Sequence, residues 1–154
     1  MNKVLVSYFS ASGNTKNVAS KFATAVNGDL FEIEPKEKYT SEDLNYMNKE
    51  SRSSIEMTQN VKPEIANKVS NIDEYDTVCL GFPIWWYKEP TIIDKFLDEN
   101  DMTGKKIYVF VTSGSSPIDS TYESLQNNYP NLTFVDGKRF TGNETEEEYK
   151  NWIV

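Results

Sequence analysis

Val4-Leu5-Val6-Ser7-Tyr8-Phe9, followed at once by Ser10-Ala11-Ser12-Gly13-Asn14-Thr15, is the stretch that decides the fold. The first six residues form a near-continuous apolar run, the pattern of a strand buried on both faces. Three hydroxyls, an amide and a glycine come next. From Thr15 to Val26, apolar Val18, Phe22, Ala25 and Val26 recur at helical spacing, and Asn27-Gly28 supplies a stop. A buried strand, a short polar loop and a helix open a βαβ unit.

The same alternation continues along the chain. Phe31-Glu32-Ile33 is expected as a second, more exposed strand. Thr77–Phe82 and Ile107–Thr112 are expected as the third and fourth, and Leu132–Val135 as a short fifth ending at Asp136-Gly137. Pro63 suits a first helical turn, and Ile65, Val69 and Ile72 then fall on one helical face. Ile92, Ile93, Phe96 and Leu97 mark another helix, as do Tyr122, Leu125 and Tyr129. Thr145 and Glu148 have capping-box spacing before Tyr149, Trp152 and Ile153. Residues 36–62 are polar, with Leu44 and Met47 giving only the hint of a helical turn. The expected architecture is α/β: a doubly wound, five-stranded parallel sheet ordered 2-1-3-4-5, helices on both faces, one domain over residues 1–154.

Composition narrows the chemistry. The 154 residues contain no histidine and one cysteine, Cys79. That removes Ser-His-Asp and Cys-His catalysis, histidine metal clusters and any disulfide framework. Cys79 falls mid-strand and reads as a packed core thiol. A formal charge of −8 argues against nucleic acid as a partner and fits a partner with a basic docking surface. No apolar run approaches a membrane span, and the strand-like start Met1-Asn2-Lys3-Val4 has no leader pattern, so a cytoplasmic protein is expected.

In a doubly wound sheet a ligand sits beyond the carboxyl ends of the strands, where the winding reverses. Three loops meet there: residues 10–15, 83–90 and 113–118. In the first, Ser10, Ser12, Gly13, Asn14 and Thr15 surround a helix N-terminus, whose unsatisfied amides and dipole favour an anion. With no basic residue before Lys16, the loop suits one terminal phosphate held by neutral donors. The second, Pro83-Ile84-Trp85-Trp86-Tyr87-Lys88-Glu89-Pro90, holds three consecutive aromatics that cannot all enter one core. A flat apolar ligand gives a physical reason for one of them to line a cleft. In the third, Ser113, Gly114 and Ser115 let backbone approach a ligand edge. A molecule with one phosphate, a polar chain and a flat hydrogen-bonding ring fits all three. Competing motifs are missing: there is no P-loop, no Gly-x-Gly-x-x-Gly, and no acidic cluster after the first strand.

At these loops the sequence resembles the flavodoxin family, especially its short bacterial flavoproteins. Tyr8-Phe9-Ser10-Ala11-Ser12-Gly13-Asn14-Thr15-Lys16 is similar to the family's phosphate loop. Gly81-Phe82-Pro83-Ile84-Trp85-Trp86 and Phe110-Val111-Thr112-Ser113-Gly114-Ser115 are similar to its two ring-binding loops. The resemblance implies a flavodoxin-like fold and flavin mononucleotide (FMN). Its phosphate would lie on Ser10, Ser12, Gly13, Asn14 and Thr15. Its ring would lie against Pro83, Ile84, Trp85, Trp86, Tyr87, Ser113, Gly114 and Ser115. Tyr87-Lys88-Glu89 and Ser115-Ser116-Pro117 depart from the family's smaller residues at these loops. The expected role is low-potential electron carrier between redox proteins. The alternatives are a small FMN-dependent NAD(P)H:quinone-type oxidoreductase with a small-molecule acceptor, and a non-redox interaction module.

Overall fold

The computed structural model describes residues 3–11, 13–85, 88–112 and 118–153. Five parallel strands, β1 (Val4–Tyr8), β2 (Asp29–Glu32), β3 (Thr77–Pro83), β4 (Lys106–Thr112) and β5 (Thr133–Phe140), form one sheet ordered β2-β1-β3-β4-β5. The helices are α1 (Asn14–Val26), α2 (Arg52–Gln59), α3 (Thr91–Glu99), α4 (Asp119–Asn128) and α5 (Glu146–Trp152). The winding reverses between β1 and β3, as expected.

Side chains alternate across each strand, so the sheet has two separate apolar faces. Leu5, Val78, Leu80 and Phe82 join Ile107, Val109 and Val111 on one face, against Ile92, Ile93 and Phe96 of α3 and Leu125 of α4. Val6, Tyr8, Cys79, Tyr108 and Phe110 occupy the other, against Val18 and Phe22 of α1 and Tyr149 of α5. Cys79 is fully buried, and burial pushes its thiol pKa up, in keeping with a core role. Helix α1 closes on Asn27, which takes the left-handed conformation (φ 54°). At α5 the Thr145 side chain accepts the Glu148 amide at 3.2 Å. No helix among the described residues is long and apolar enough to cross a membrane.

Three sequence expectations are corrected. Residues 63–72 form no helix apart from one 3-10 turn at Ile72–Glu74. Instead the chain after α2 runs extended beside residues 34–36: Lys36 N donates to Glu64 O at 2.8 Å and Ala66 N to Glu34 O at 2.7 Å. The Asn67 side chain accepts from Glu34 N at 3.2 Å and donates to Glu32 O at 2.7 Å. Ile65, Val69 and Ile72 still pack against the core, so their apolar spacing reported burial and not helix. The helix of this region lies at α2, inside the tract that was polar in sequence, because its buried face is itself polar. Ser51 caps it, Ser54 Oγ donates to Asn48 O at 2.8 Å, and buried Glu56 accepts from Arg52 Nε at 3.0 Å.

The third correction concerns β5, which runs on through Asp136-Gly137 to Phe140. Ile107 pairs with Phe134 and Tyr108 with Asp136, which leaves Val135 as the extra residue of a bulge. Gly137 makes no turn. A Cβ there would lie 2.6 Å from Tyr122 Cδ1, so this glycine lets α4 pack closely on the strand.

Candidate functional site

The carboxyl ends of β1, β3 and β4 form one rim. β1 stops at Tyr8, but Phe9 N still donates to Gly81 O at 2.9 Å, which holds the outgoing chain beside β3. Ser10 Oγ then accepts the Gly13 amide at 3.0 Å. Gly13 sits at φ 95°, a conformation that costs most residues with a Cβ, and turns the chain into α1. The first helical bond runs from Asn17 N to Gly13 O at 3.1 Å, so the amides of Asn14, Thr15 and Lys16 have no helical acceptor.

Helix α1 carries neither a side-chain cap on Gly13 nor an acidic residue in its first turn. The other helices are compensated: Ser51 caps α2, Asp94 and Asp119 sit in the first turns of α3 and α4, and α5 has Thr145 and three glutamates. An uncompensated entrance of this kind attracts an external anion. Beside it lies a cleft of about 330 Å³ lined in part by Ser10, Ala11, Lys16, Lys38, Glu32 and Glu34. Lys16 therefore borders the nest after all, beyond the neutral donors.

Thr15 is 1% exposed, and its Oγ1 meets Thr112 Oγ1 at 2.7 Å. That contact fixes the start of α1 against the last residue of β4, the root of the third loop. Pro83, at the end of β3, pairs in register with Thr112. Ile84 and Trp85 follow, both half-buried. Trp85 and Lys88 exchange backbone hydrogen bonds of 3.0 Å in both directions, closing the base of the second loop.

The Trp85 indole packs edge-on against Phe9, with centroids 5.7 Å apart, and against Tyr39, at 5.4 Å. Tyr39 is in turn fixed by its hydroxyl on Glu56 and by the Arg52 guanidinium 4.0 Å from its ring. Burial, then the Glu56 carboxylate, pushes the Tyr39 pKa up, so its phenol stays protonated and donates. At the far end of the loop Glu89 is 3% exposed, and burial, then the charge of Asp94, lifts its pKa to about 8. Asp94 also accepts from Tyr129 Oη at 2.8 Å.

Ser10, Gly13, Asn14, Thr15, Pro83, Ile84 and Trp85 thus share one rim, as the sequence led us to expect. Ser12, Trp86, Tyr87, Ser113, Gly114 and Ser115, expected there too, lie outside the described residues. Thr112, Phe9 and Tyr39 were not among the expected site residues. Thr112 had a signal, since it directly precedes the third loop. Tyr39 had none, being one aromatic in a polar tract.

A family model described as flavodoxin matches residues 3–154, and the chain belongs to the flavodoxin family. A candidate flavoprotein from Bacteroides eggerthii is 41% identical, with a TM-score of 0.96 over 99% of this chain and 96% of its own. A second, from Bacteroides uniformis, is 42% identical, with a TM-score of 0.92 over 99% and 97%. A flavoprotein from Lactobacillus acidophilus, solved in complex with FMN, is 22% identical and shares the fold over the full length of both chains, with a TM-score of 0.80. No curated protein matches.

Proposed function

We propose that the protein binds FMN non-covalently at this rim, as one unit over residues 1–154, and carries electrons between larger redox proteins in the cytoplasm. The observation that carries this reading is the 2.7 Å contact between Thr15 and Thr112. It sets an uncompensated helix entrance against the end of β4, whose Thr112 pairs in register with Pro83 at the start of the loop that holds Trp85, and this supports a phosphate site and a ring wall for one mononucleotide on a single rim. Family membership and the FMN complex of the Lactobacillus relative support the same cofactor.

The residues present fit that group. The amides of Asn14, Thr15 and Lys16 and the hydroxyl of Ser10 supply phosphate donors, with Ser12 proposed beside them. Pro83, Ile84 and Trp85 supply an apolar wall, with Trp86, Tyr87, Ser113, Gly114 and Ser115 proposed to complete the ring site. When bound, FMN supplies reversible one- and two-electron redox chemistry; the protein supplies position and electrostatics. The charge of −8 and the aromatic wall both disfavour added negative charge near the ring, so a reduction potential below that of free FMN is expected. The same acidity fits partners with basic docking surfaces.

An absorbance spectrum of the purified protein, with and without added FMN and during stepwise reduction, tests this reading. A flavin spectrum and a lowered potential support it. A colourless protein that takes up no FMN overturns it. The reductase reading is favoured by one observation, a cavity of about 190 Å³ against Ile84 and Trp85. Steady-state oxidation of NADH or NADPH with a quinone separates reductase from carrier.

A further inference from the structure

We propose that this cavity is a second binding site, for a single-ring aromatic compound bearing an oxygen substituent, a phenol or a quinone. It lies between the 44–53 segment and the end of β3 and is lined by Leu44, Tyr46, Ser53, Ile84 and Trp85. The inference rests on the FMN reading in one respect: Ile84 and Trp85 would serve both sites.

Three observations define the occupant. The first is size. An engineered cavity of roughly 150 Å³ admits benzene, so about 190 Å³ admits one ring with small substituents and is too small for a tricyclic flavin. The second is the lining: a leucine, an isoleucine and two aromatic rings favour a flat apolar molecule. Tyr46 is largely exposed, which places the cavity at the surface, open to exchange.

The third is chemical. Ser53 is 2% exposed, and its Oγ is the buried side-chain polar atom that lacks a hydrogen-bond partner among the described residues. Its neighbours are satisfied: Ser51 Oγ donates to Ser54 Oγ at 2.9 Å, and Ser54 Oγ donates to Asn48 O. Buried hydroxyls are normally paired, and one left over beside a cavity is accounted for by an occupant that pairs with it. A hydroxyl both donates and accepts, so a carbonyl or phenolic oxygen satisfies it equally. Neither requirement points to a nucleotide or a peptide.

Isosteric probes test the proposal. p-Cresol and p-xylene share a shape and differ by a hydroxyl for a methyl. Each is titrated into 15N-labelled protein, with and without FMN, while the amides of Leu44, Ser53 and Ile84 are followed. The expected result is that p-cresol shifts these amides in the FMN-loaded protein and binds roughly three- to tenfold more tightly than p-xylene, the margin of one hydrogen bond. Ser53→Ala, which removes an unpaired group and so keeps the fold, should erase that margin. Leu44→Trp, which fills the space, should abolish binding of both.

No shift at these amides, or a p-cresol preference that survives Ser53→Ala, overturns the proposal. So does p-cresol binding that disappears when FMN is added, because the cavity would then belong to the cofactor. Binding that depends on Ser53 in a protein that takes up no FMN would uphold this site and overturn the cofactor reading instead.

Discussion

The hydroxyls of Thr15 and Thr112 lie 2.7 Å apart in a buried contact that links the first turn of α1 to the last residue of β4. Removing one partner strands the other. Thr112→Val should therefore lower stability by about 1–3 kcal/mol, the cost of an unsatisfied buried hydroxyl. In the Thr15→Val/Thr112→Val double variant, most of that loss should return. Urea unfolding of the four proteins in a double-mutant cycle measures the coupling.

Gly13 enters α1 at φ 95°, and among the described residues beyond its chain neighbours no atom lies within 4 Å of where a Cβ would stand. The cost of Gly13→Ala is then backbone strain alone, about 1–2 kcal/mol. Relaxing that strain rotates the amides that face the anion. FMN affinity should fall by roughly tenfold, since about 1.4 kcal/mol is a factor of ten. Riboflavin, which has no phosphate, should bind the variant and the parent alike. Quenching of flavin fluorescence gives both constants.

Glu89 supplies a pH dependence with a definite sign. Burial and Asp94 raise its pKa to about 8 in the fold, against about 4.3 in an unfolded chain. Between those values the folded state binds more protons than the unfolded one, so stability falls as pH rises. The contribution of Glu89 is complete below the lower value and is lost as pH passes through the upper. Glu89→Gln should flatten the decline in urea midpoint between about pH 5 and pH 8. An unchanged slope in the variant would assign the decline to other groups.

Gly137→Ala would place a methyl 2.6 Å from the Tyr122 ring. Overpacking of this kind costs about 1–3 kcal/mol. The same methyl would stand 3.0 Å from Ile118 Cδ1, the last residue of the third loop, so FMN affinity should fall along with stability. Thermal unfolding and a flavin titration on the same sample measure the two effects.

The sequence made the scaffold legible wherever burial was apolar. β1, β3 and β4 are continuous apolar runs, and α1 and α3 present regular stripes, so their positions and their order in the sheet could be read directly. The region from residue 36 to residue 72 could not. Its helix buries Ser53, Ser54 and Glu56 and is held by hydrogen bonds within the segment, which leave no periodic signal. Its apolar residues Ile65 and Val69 sit on extended chain, pinned by Asn67 acting as a surrogate backbone partner. Asp136-Gly137 misled for a different reason: the glycine serves a close approach by Tyr122. At the site, hydroxyl and aromatic types were enough to place Thr15 and Trp85 on one rim. The supports behind Trp85 were hidden because Phe9 and Tyr39 come from separate loops whose meeting is a tertiary event.

The bulge at Val135 reaches beyond local geometry. It bends the outer border of the sheet, where Asp136, Lys138 and Arg139 also place charge. The opposite border, β2, spans four residues, and the chain just past it is covered where Pro35 bridges to Ile65. Neither margin offers a long flat ladder on which another molecule could add a strand. Crowded copies should therefore stay dispersed and not grow into fibrils, even though each keeps tryptophan at its working end.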